Sequence, residues 1–199
     1  MADVFENFNH VIIPSMVKRI WLTRAELEKI WCVAHQREAA KTTRNDRHIK
    51  SRFGWEPKWD GLRGELATAK FFGIPEQVNY NVGIAGDGGT DLRYHGYDLQ
   101  IKLSTYLPPY LRFEETGPKS FTADIAILTH APIKPEEYDP LWLETNGWVD
   151  IWGWVSKAEF LSKAKKTNLG TGEILVMKPP LHPIDELENE IMLGLIMRQ

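Results

Sequence analysis

The sequence has few features that would cross-link a small protein or anchor it in a membrane. It contains one cysteine, Cys32, in 199 residues, so the chain cannot form an intramolecular disulfide or a cysteine-based zinc site. No stretch approaches the roughly 18 uninterrupted apolar residues that a transmembrane helix needs. Residues 1–15 include Asp3 and Glu6 and lack the basic start and apolar core of a signal peptide. These absences predict a soluble, cytoplasmic protein with no membrane partner.

An excess of positive charge is also missing. The 24 Lys and Arg residues stand against 27 Asp and Glu residues, a formal net charge of −3, which argues against a polybasic nucleic-acid packaging protein. The cations are nevertheless concentrated between residues 41 and 63, as Lys41, Arg44, Arg47, Lys50, Arg52, Lys58 and Arg63. Such a segment suits an enzyme that acts on a polyanion. The alternative is a solvated basic face without a partner.

Hydrophobic residues make up 43% and charged residues 26% of the chain, as in ordinary globular proteins. A capping box at Thr23–Glu26 predicts the start of a helix, and apolar residues at helical spacing carry it to about residue 40. The polar, basic stretch 41–55 is predicted to be a loop or arm. A second helix is predicted over 58–72, because Gly73 and Pro75 then give a stop signal.

From Gln77 onward, apolar residues recur at every second position. Strands are predicted over 77–82, 90–94, 97–104, 124–129, 148–155 and 174–177, with an irregular stretch over 107–119 and further helices over 157–165 and 183–192. The connections are too short for regular βαβ winding, so this order predicts an α/β fold in which a mixed central β-sheet is flanked by helices. We expect one compact domain overall, with a helical and basic segment over 1–57 and an α/β core over 58–199.

A hairpin in this core concentrates polar side chains. A two-residue turn at His95-Gly96 pairs Leu92 with Leu99, which places Asp91 opposite Gln100. Opposed residues project from the same face of a sheet. The hairpin therefore predicts a carboxylate and an amide side by side.

Lys102 lies two residues beyond Gln100 and shares its face, because side chains alternate along a strand. The opposite face receives four apolar residues, Leu92, Leu99, Ile101 and Leu103. One face is thus apolar, while the other holds a carboxylate, an amide and an amine. Burying such a polar set beside a core is costly unless it has a use.

The helix before the hairpin adds a second carboxylate. Glu65 flanks that helix's apolar stripe, so a helix packed on the sheet could direct it toward Asp91. Two carboxylates and a backbone carbonyl form an oxygen site suited to Mg²⁺ or Mn²⁺. A lysine beside such a metal can position or deprotonate a water for attack on phosphorus.

The elements Gly64-Glu65, Thr90-Asp91 and Gln100-Ile101-Lys102, in this order, resemble the PD-(D/E)XK nuclease superfamily. The resemblance spans residues 58–129, and the segment 148–160 is similar to the trailing strand and helix of some members. It implies a restriction-endonuclease-like fold and metal-dependent hydrolysis of phosphodiester bonds.

The resemblance also implies roles for individual residues. Glu65 and Asp91 would be metal ligands, the Ile101 carbonyl a backbone ligand, and Lys102 the catalytic lysine. Gln100 departs from the usual acidic residue; an amide oxygen can still ligate a metal, but a second metal site is put in doubt. Asp87 could act as a spare acidic group.

We therefore predict a Mg²⁺- or Mn²⁺-dependent deoxyribonuclease, with RNA left open as a substrate. Five residues of the basic segment are predicted to contact phosphates: Arg44, Arg47, Lys50, Arg52 and Arg63. A homodimer is a further option, because cutting both strands of a duplex often needs two active sites. Two alternatives remain open: a catalytically silent nucleic-acid-binding or structural protein on the same scaffold, marked by Gln100, and an α/β protein that matches the motif by accident.

Overall fold

The computed structural model describes residues 16–42, 56–82, 90–117, 120–133, 139–168 and 173–196. The strands are β1 Lys18–Trp21, β2 Leu92–Tyr94, β3 Tyr97–Ser104, β4 Leu111–Glu114, β5 Ile125–His130, β6 Trp148–Ser156, β7 Lys165–Asn168 and β8 Glu173–Met177. The helices are α1 Arg24–Thr42, α2 Glu56–Phe71, α3 Pro140–Asn146, α4 Lys157–Lys163 and α5 Leu187–Met192, with short 3₁₀ turns at Pro75–Gln77 and Ile184–Glu186. Across these ranges, no helix has both the length and the apolar character needed to cross a membrane.

The strands form two sheets. The central sheet has five strands in the order β1-β6-β5-β3-β2. Strands β3 and β5 pair in parallel, and the other neighbours pair antiparallel. The predicted mixed central sheet flanked by helices is thus confirmed. A second, antiparallel sheet of three strands has the order β4-β8-β7 and was not predicted.

Each face of the central sheet buries a separate hydrophobic cluster. On one face, the fully buried Leu99 and Ile127 of the sheet and Leu62 of α2 belong to the larger cluster. On the other face, Leu128 joins a cluster with the rings of Phe113, Phe121 and Phe160. The central sheet is therefore a middle layer between the α1–α2 helices and the second sheet.

The predicted capping box at the start of α1 is present. The Thr23 N–H donates to Glu26 Oε2 at 2.6 Å, and the Glu26 N–H donates back to Thr23 Oγ1 at 3.3 Å. The Ser156 hydroxyl oxygen accepts from the Glu159 N–H at 3.2 Å, at the start of α4. These bonds satisfy N–H groups that a helix start otherwise leaves without partners.

Some sequence predictions were wrong. The strand predicted over 77–82 is a 3₁₀ turn followed by irregular chain, and the stretch 107–119 contains β4. Strands β1 and β7 and helix α3 were missed, because four-residue strands and a two-turn helix carry too little periodicity. The loop predicted over 41–55 lies outside the described residues, except that α1 includes residues 41 and 42. Strand β1 pairs with β6, so residues before 58 contribute to the same sheet as the hairpin.

Helix α2 sits on the sheet at Gly64. A Cβ on this glycine would lie 2.9 Å from Thr129 Oγ1 and 3.1 Å from Ile101 Cγ2. Contacts this short require the Thr129 and Ile101 side chains, or the helix and strands that carry them, to shift. Gly64 therefore fixes how closely α2, and Glu65 on it, approaches β3.

We expect Gly64→Ala to destabilise the fold by about 1–2 kcal/mol, since overpacking outweighs the gain in helix propensity. Gly61→Ala is the matched control in the same helix, because a Cβ there would lie 3.6 Å from Glu65 Oε1, an ordinary van der Waals distance. It should stabilise by about 0.5–1 kcal/mol. Urea unfolding of both variants checks the pair. A loss of stability in Gly61→Ala as large as in Gly64→Ala would contradict the close-packing argument.

Candidate active site

The hairpin has the predicted register. Leu92 pairs with Leu99 and Tyr94 with Tyr97. The turn residues His95 and Gly96 have φ angles of 47° and 83°, as a type I′ turn requires. The register that puts Asp91 beside the Gln100-Ile101-Lys102 element is confirmed.

Asp91 contacts the backbone of that element directly. Its Oδ2 accepts a hydrogen bond from the Ile101 N–H at 2.6 Å. Strand β2 begins at Leu92, so β3 extends past its partner at this point. The N–H and C=O of one strand residue point to the same side of the strand, so the Ile101 carbonyl is directed to this edge as well. A carboxylate and a backbone carbonyl therefore meet where the two strands separate.

Gln100 and Lys102 project from the face of β3 that lies toward the second sheet. Gln100 is only 3% exposed, and its Oε1 accepts from the Thr122 N–H at 3.4 Å. The Lys102 ammonium nitrogen lies 5.2 Å from the centroid of the Phe113 ring, a cation–π distance. Both polar side chains thus share one face, as the alternation predicted. Each also has a packing partner that the sequence did not reveal.

Glu65 comes from the opposite layer. It is half-buried on α2, next to Gly64 and its contact with Ile101. Burial, with contributions from the nearby carboxylates of Glu26 and Glu65, raises the pKa of the Tyr80 hydroxyl. Helix α2 packs on the Ile101 face of β3, whereas Lys102 lies on the other face. Asp91 lies at the edge of β3 just before β2 begins, bonded to the Ile101 N–H.

The ligands predicted from the sequence are all oxygen donors of the kind that Mg²⁺ and Mn²⁺ prefer: the carboxylates of Glu65 and Asp91, the Ile101 carbonyl and the Gln100 amide. The structure joins Asp91 to the Ile101 backbone, whereas Glu65 comes from the α2 layer and Gln100 faces the second sheet. In the part of the chain that the structure describes, no group of three or more His, Cys, Asp and Glu side chains is placed to hold a metal. A cation here would therefore depend on the carbonyl, the amide and water to complete its coordination.

One predicted phosphate contact is wrong. Arg63 is 0% exposed, its Nη1 donates to the Pro132 carbonyl at 3.2 Å, and burial lowers its pKa to about 10 despite the nearby Asp60 carboxylate. A side chain with no exposed surface cannot contact a phosphate in solution. The sequence held the signal, because Arg63 lies four residues after the buried Trp59 and so falls in the apolar stripe of α2.

The other four residues predicted to contact phosphates belong to a part of the chain that the structure does not describe. Arg44, Arg47, Lys50 and Arg52 lie outside the described residues, as does the spare carboxylate Asp87. Their roles remain predictions from the sequence.

A row of polar residues crosses the central sheet and was missed by the sequence analysis. Ser104, His130, Asp150 and Arg19 pair successively across β3, β5, β6 and β1, so their side chains share a face. Arg19 donates to both oxygens of the buried Asp150 at 2.7 and 2.9 Å. The sequence alone shows that Ser104 and Lys102 project from the same face of β3, because they are two residues apart. Placing His130, Asp150 and Arg19 on that face required the strand order.

His130 sits in the middle of this row. Its Nδ1 lies 2.9 Å from the Ser104 carbonyl oxygen, to which it donates. Burial lowers the pKa of His130, with the Ser104 bond acting against it. Nδ1 engages the backbone of Ser104 rather than its hydroxyl, and Asp150 is held by Arg19. The row is therefore not arranged as a Ser-His-Asp catalytic triad.

Comparison with known proteins gives this chain no relative. No family model, no curated protein and no solved structure matches it. The case for its function therefore depends on its own residues.

Proposed function

We propose that this chain is a metal-dependent nuclease of the PD-(D/E)XK type, with a restriction-endonuclease-like core that hydrolyses phosphodiester bonds in DNA. The observation that carries the proposal is the 2.6 Å contact between the Asp91 carboxylate and the Ile101 N–H. This contact joins two separate pieces of the sequence motif at the edge of β3, beside the start of β2. Lys102 is the residue directly after Ile101.

The roles follow from these positions. Asp91, Glu65 and the Ile101 carbonyl would hold Mg²⁺ or Mn²⁺, and Gln100 would contribute its amide oxygen. When bound, the cation neutralises charge that develops at phosphorus and lowers the pKa of a bound water. Lys102 orients the attacking water, because its ammonium donates hydrogen bonds.

Lys102 is well suited to positioning. Its ammonium lies over the Phe113 ring, and its backbone is fixed by the parallel ladder in which it pairs with Leu128 of β5. A side chain restricted in this way needs less ordering to reach a reactive arrangement. The second sheet thus supports the site by holding Lys102.

The test is a cleavage assay with the purified chain on plasmid, linear duplex and single-stranded DNA, in Mg²⁺, Mn²⁺ or EDTA. We expect cleavage of at least one DNA form with either cation and none in EDTA. An Asp91→Asn protein purified in parallel controls for contaminating nucleases. Cleavage that persists in EDTA, or that is equal in the two proteins, would contradict the proposal.

A second candidate is a nucleic-acid-binding protein on the same scaffold that has lost catalysis. Gln100 favours it, since this residue carries no charge and its amide oxygen already accepts from the Thr122 N–H. The retained Asp91, Glu65 and Lys102 favour the enzyme. Binding of DNA without cleavage of any tested form would support this second candidate.

A further inference from the structure

Aromatic side chains gather at the end of the central sheet toward which β3 runs. Tyr106 follows Ser104 by two residues, and its N–H donates to Ser104 Oγ at 3.3 Å. Trp148 precedes Asp150 by two residues in β6, which runs antiparallel to β5. Both aromatic residues therefore lie just beyond the polar row, at the same end of the sheet.

These rings are accessible. Tyr106 is 66% exposed, and its ring lies 5.9 Å from that of Tyr110 in a stacked arrangement. Trp148 is half-buried. Exposed apolar surface indicates an interaction site when its members are contiguous, as the Tyr106 and Tyr110 rings are.

A cation is fixed beside Trp148. The Arg19 guanidinium carbon lies 3.9 Å from the centroid of the Trp148 ring, and two of its nitrogens bond the buried Asp150. The Arg19 side chain is still 45% exposed. Its position is thus set by a ring and a carboxylate, while nearly half of its surface faces solvent.

We propose that this strand-end patch, formed by Tyr106, Tyr110, Trp148 and Arg19, binds an unpaired stretch of a DNA strand next to the site at Asp91 and Lys102. The inference rests on the proposed function and names the form of its substrate. Exposed rings can stack on bases of any sequence once those bases are unpaired, and a fixed guanidinium can contact the phosphates between them.

The placement links the patch to Lys102. Lys102 and Ser104 are on the same face of β3, and the row from Ser104 leads across the sheet to Arg19 on β1. Three strand spacings separate β3 from β1, about 14 Å. A strand with its phosphate near Lys102 can therefore reach the patch within a few nucleotides. In a duplex the base faces are covered by stacking, so the exposed rings favour a single strand.

The test measures binding without cleavage, in EDTA, with a labelled oligothymidylate of about 12 nucleotides, within the size that single-strand sites cover. Tyr106→Ala should weaken binding at least about fivefold, since stacking on one base is worth that much or more. Tyr106→Phe should retain wild-type affinity because it keeps the ring. Affinity for a blunt-ended duplex, in which every base is paired, should be the same in all three proteins.

Leu107→Ala is the matched control. Leu107 is 55% exposed beside Tyr106, so its removal deletes similar apolar surface without a ring and should leave affinity unchanged. Equal affinity of wild type and Tyr106→Ala for the oligothymidylate would overturn the inference, as would equal losses with Leu107→Ala. The readout is separate from catalysis: a Tyr106 effect without any cleavage rejects the proposed function alone, and cleavage without a Tyr106 effect rejects the inference alone.

Discussion

Replacing Lys102 by methionine is expected to cut the turnover of DNA cleavage by at least about 100-fold, the usual lower range for a positioned acid–base group. Methionine keeps an unbranched side chain against Phe113 and removes only the ammonium that orients the attacking water. Because this work is done in the transition state, affinity for DNA should fall little. Single-turnover rates in Mg²⁺ and binding in Ca²⁺ measure the two effects separately.

Lys165→Met is the control for loss of a lysine elsewhere. Lys165 is an exposed residue of β7 in the second sheet, outside the candidate site, so its loss should leave turnover near wild type. Equal cleavage by wild type and Lys102→Met would assign the activity to another site or to a contaminant. Equal losses in the two lysine variants would show that general charge, rather than Lys102, is responsible.

Metal should stabilise the wild-type protein and fail to stabilise Asp91→Asn. In the proposed site the carboxylates of Glu65 and Asp91 would share one cation, and its binding would relieve their mutual repulsion. At a metal concentration about 100 times the Kd, linkage predicts roughly 2.7 kcal/mol and a Tm rise of about 5–10 °C. Asparagine can still accept the hydrogen bond from the Ile101 N–H, so the variant should fold. Thermal melts with Mn²⁺, Mg²⁺ and EDTA measure the shift.

Asp98→Asn provides the comparison within the same hairpin. Asp98 pairs with the Arg93 guanidinium at 2.8 Å, on the segment of β3 that still has β2 beside it. This variant should keep the full metal-induced rise in Tm. The assignment of Asp91 as a ligand would be wrong if both variants, or neither, lost the shift.

The hairpin was the most predictable part of the molecule. Its register depends only on a two-residue turn and on period-two alternation, both of which are local. The register places Asp91 next to the Gln100-Ile101-Lys102 element, but the bond of its carboxylate to the Ile101 N–H was found only in the structure. That Gln100 and Lys102 share one face of β3 could also be predicted, since this follows from alternation along the strand and not from what covers the sheet.

The local sequence pattern was less informative where tertiary packing determines whether a residue is buried. Arg63 was read as a surface cation because it lies in a basic stretch of sequence, yet its helix buries it. Strand β4 was read as irregular chain, although its Phe113 carries the ring over Lys102. The Arg63 error came from giving the charge of the stretch more weight than the helical spacing, which puts Arg63 in the apolar stripe of α2. The β4 error arose because the role of β4 depends on the neighbouring layer, which the local pattern does not specify.

The sequence by itself determined the α/β class, the capped helices and the polar face of the hairpin. These features come from interactions between residues close in the chain, where spacing alone sets geometry. Only the tertiary structure decided that the central sheet lies between helices and a second sheet, and that Ser104, His130, Asp150 and Arg19 form one row. That row joins residues up to 131 positions apart. The order of strands in a sheet arises because whole faces of the sheet are buried against other layers, and no local sequence pattern encodes this.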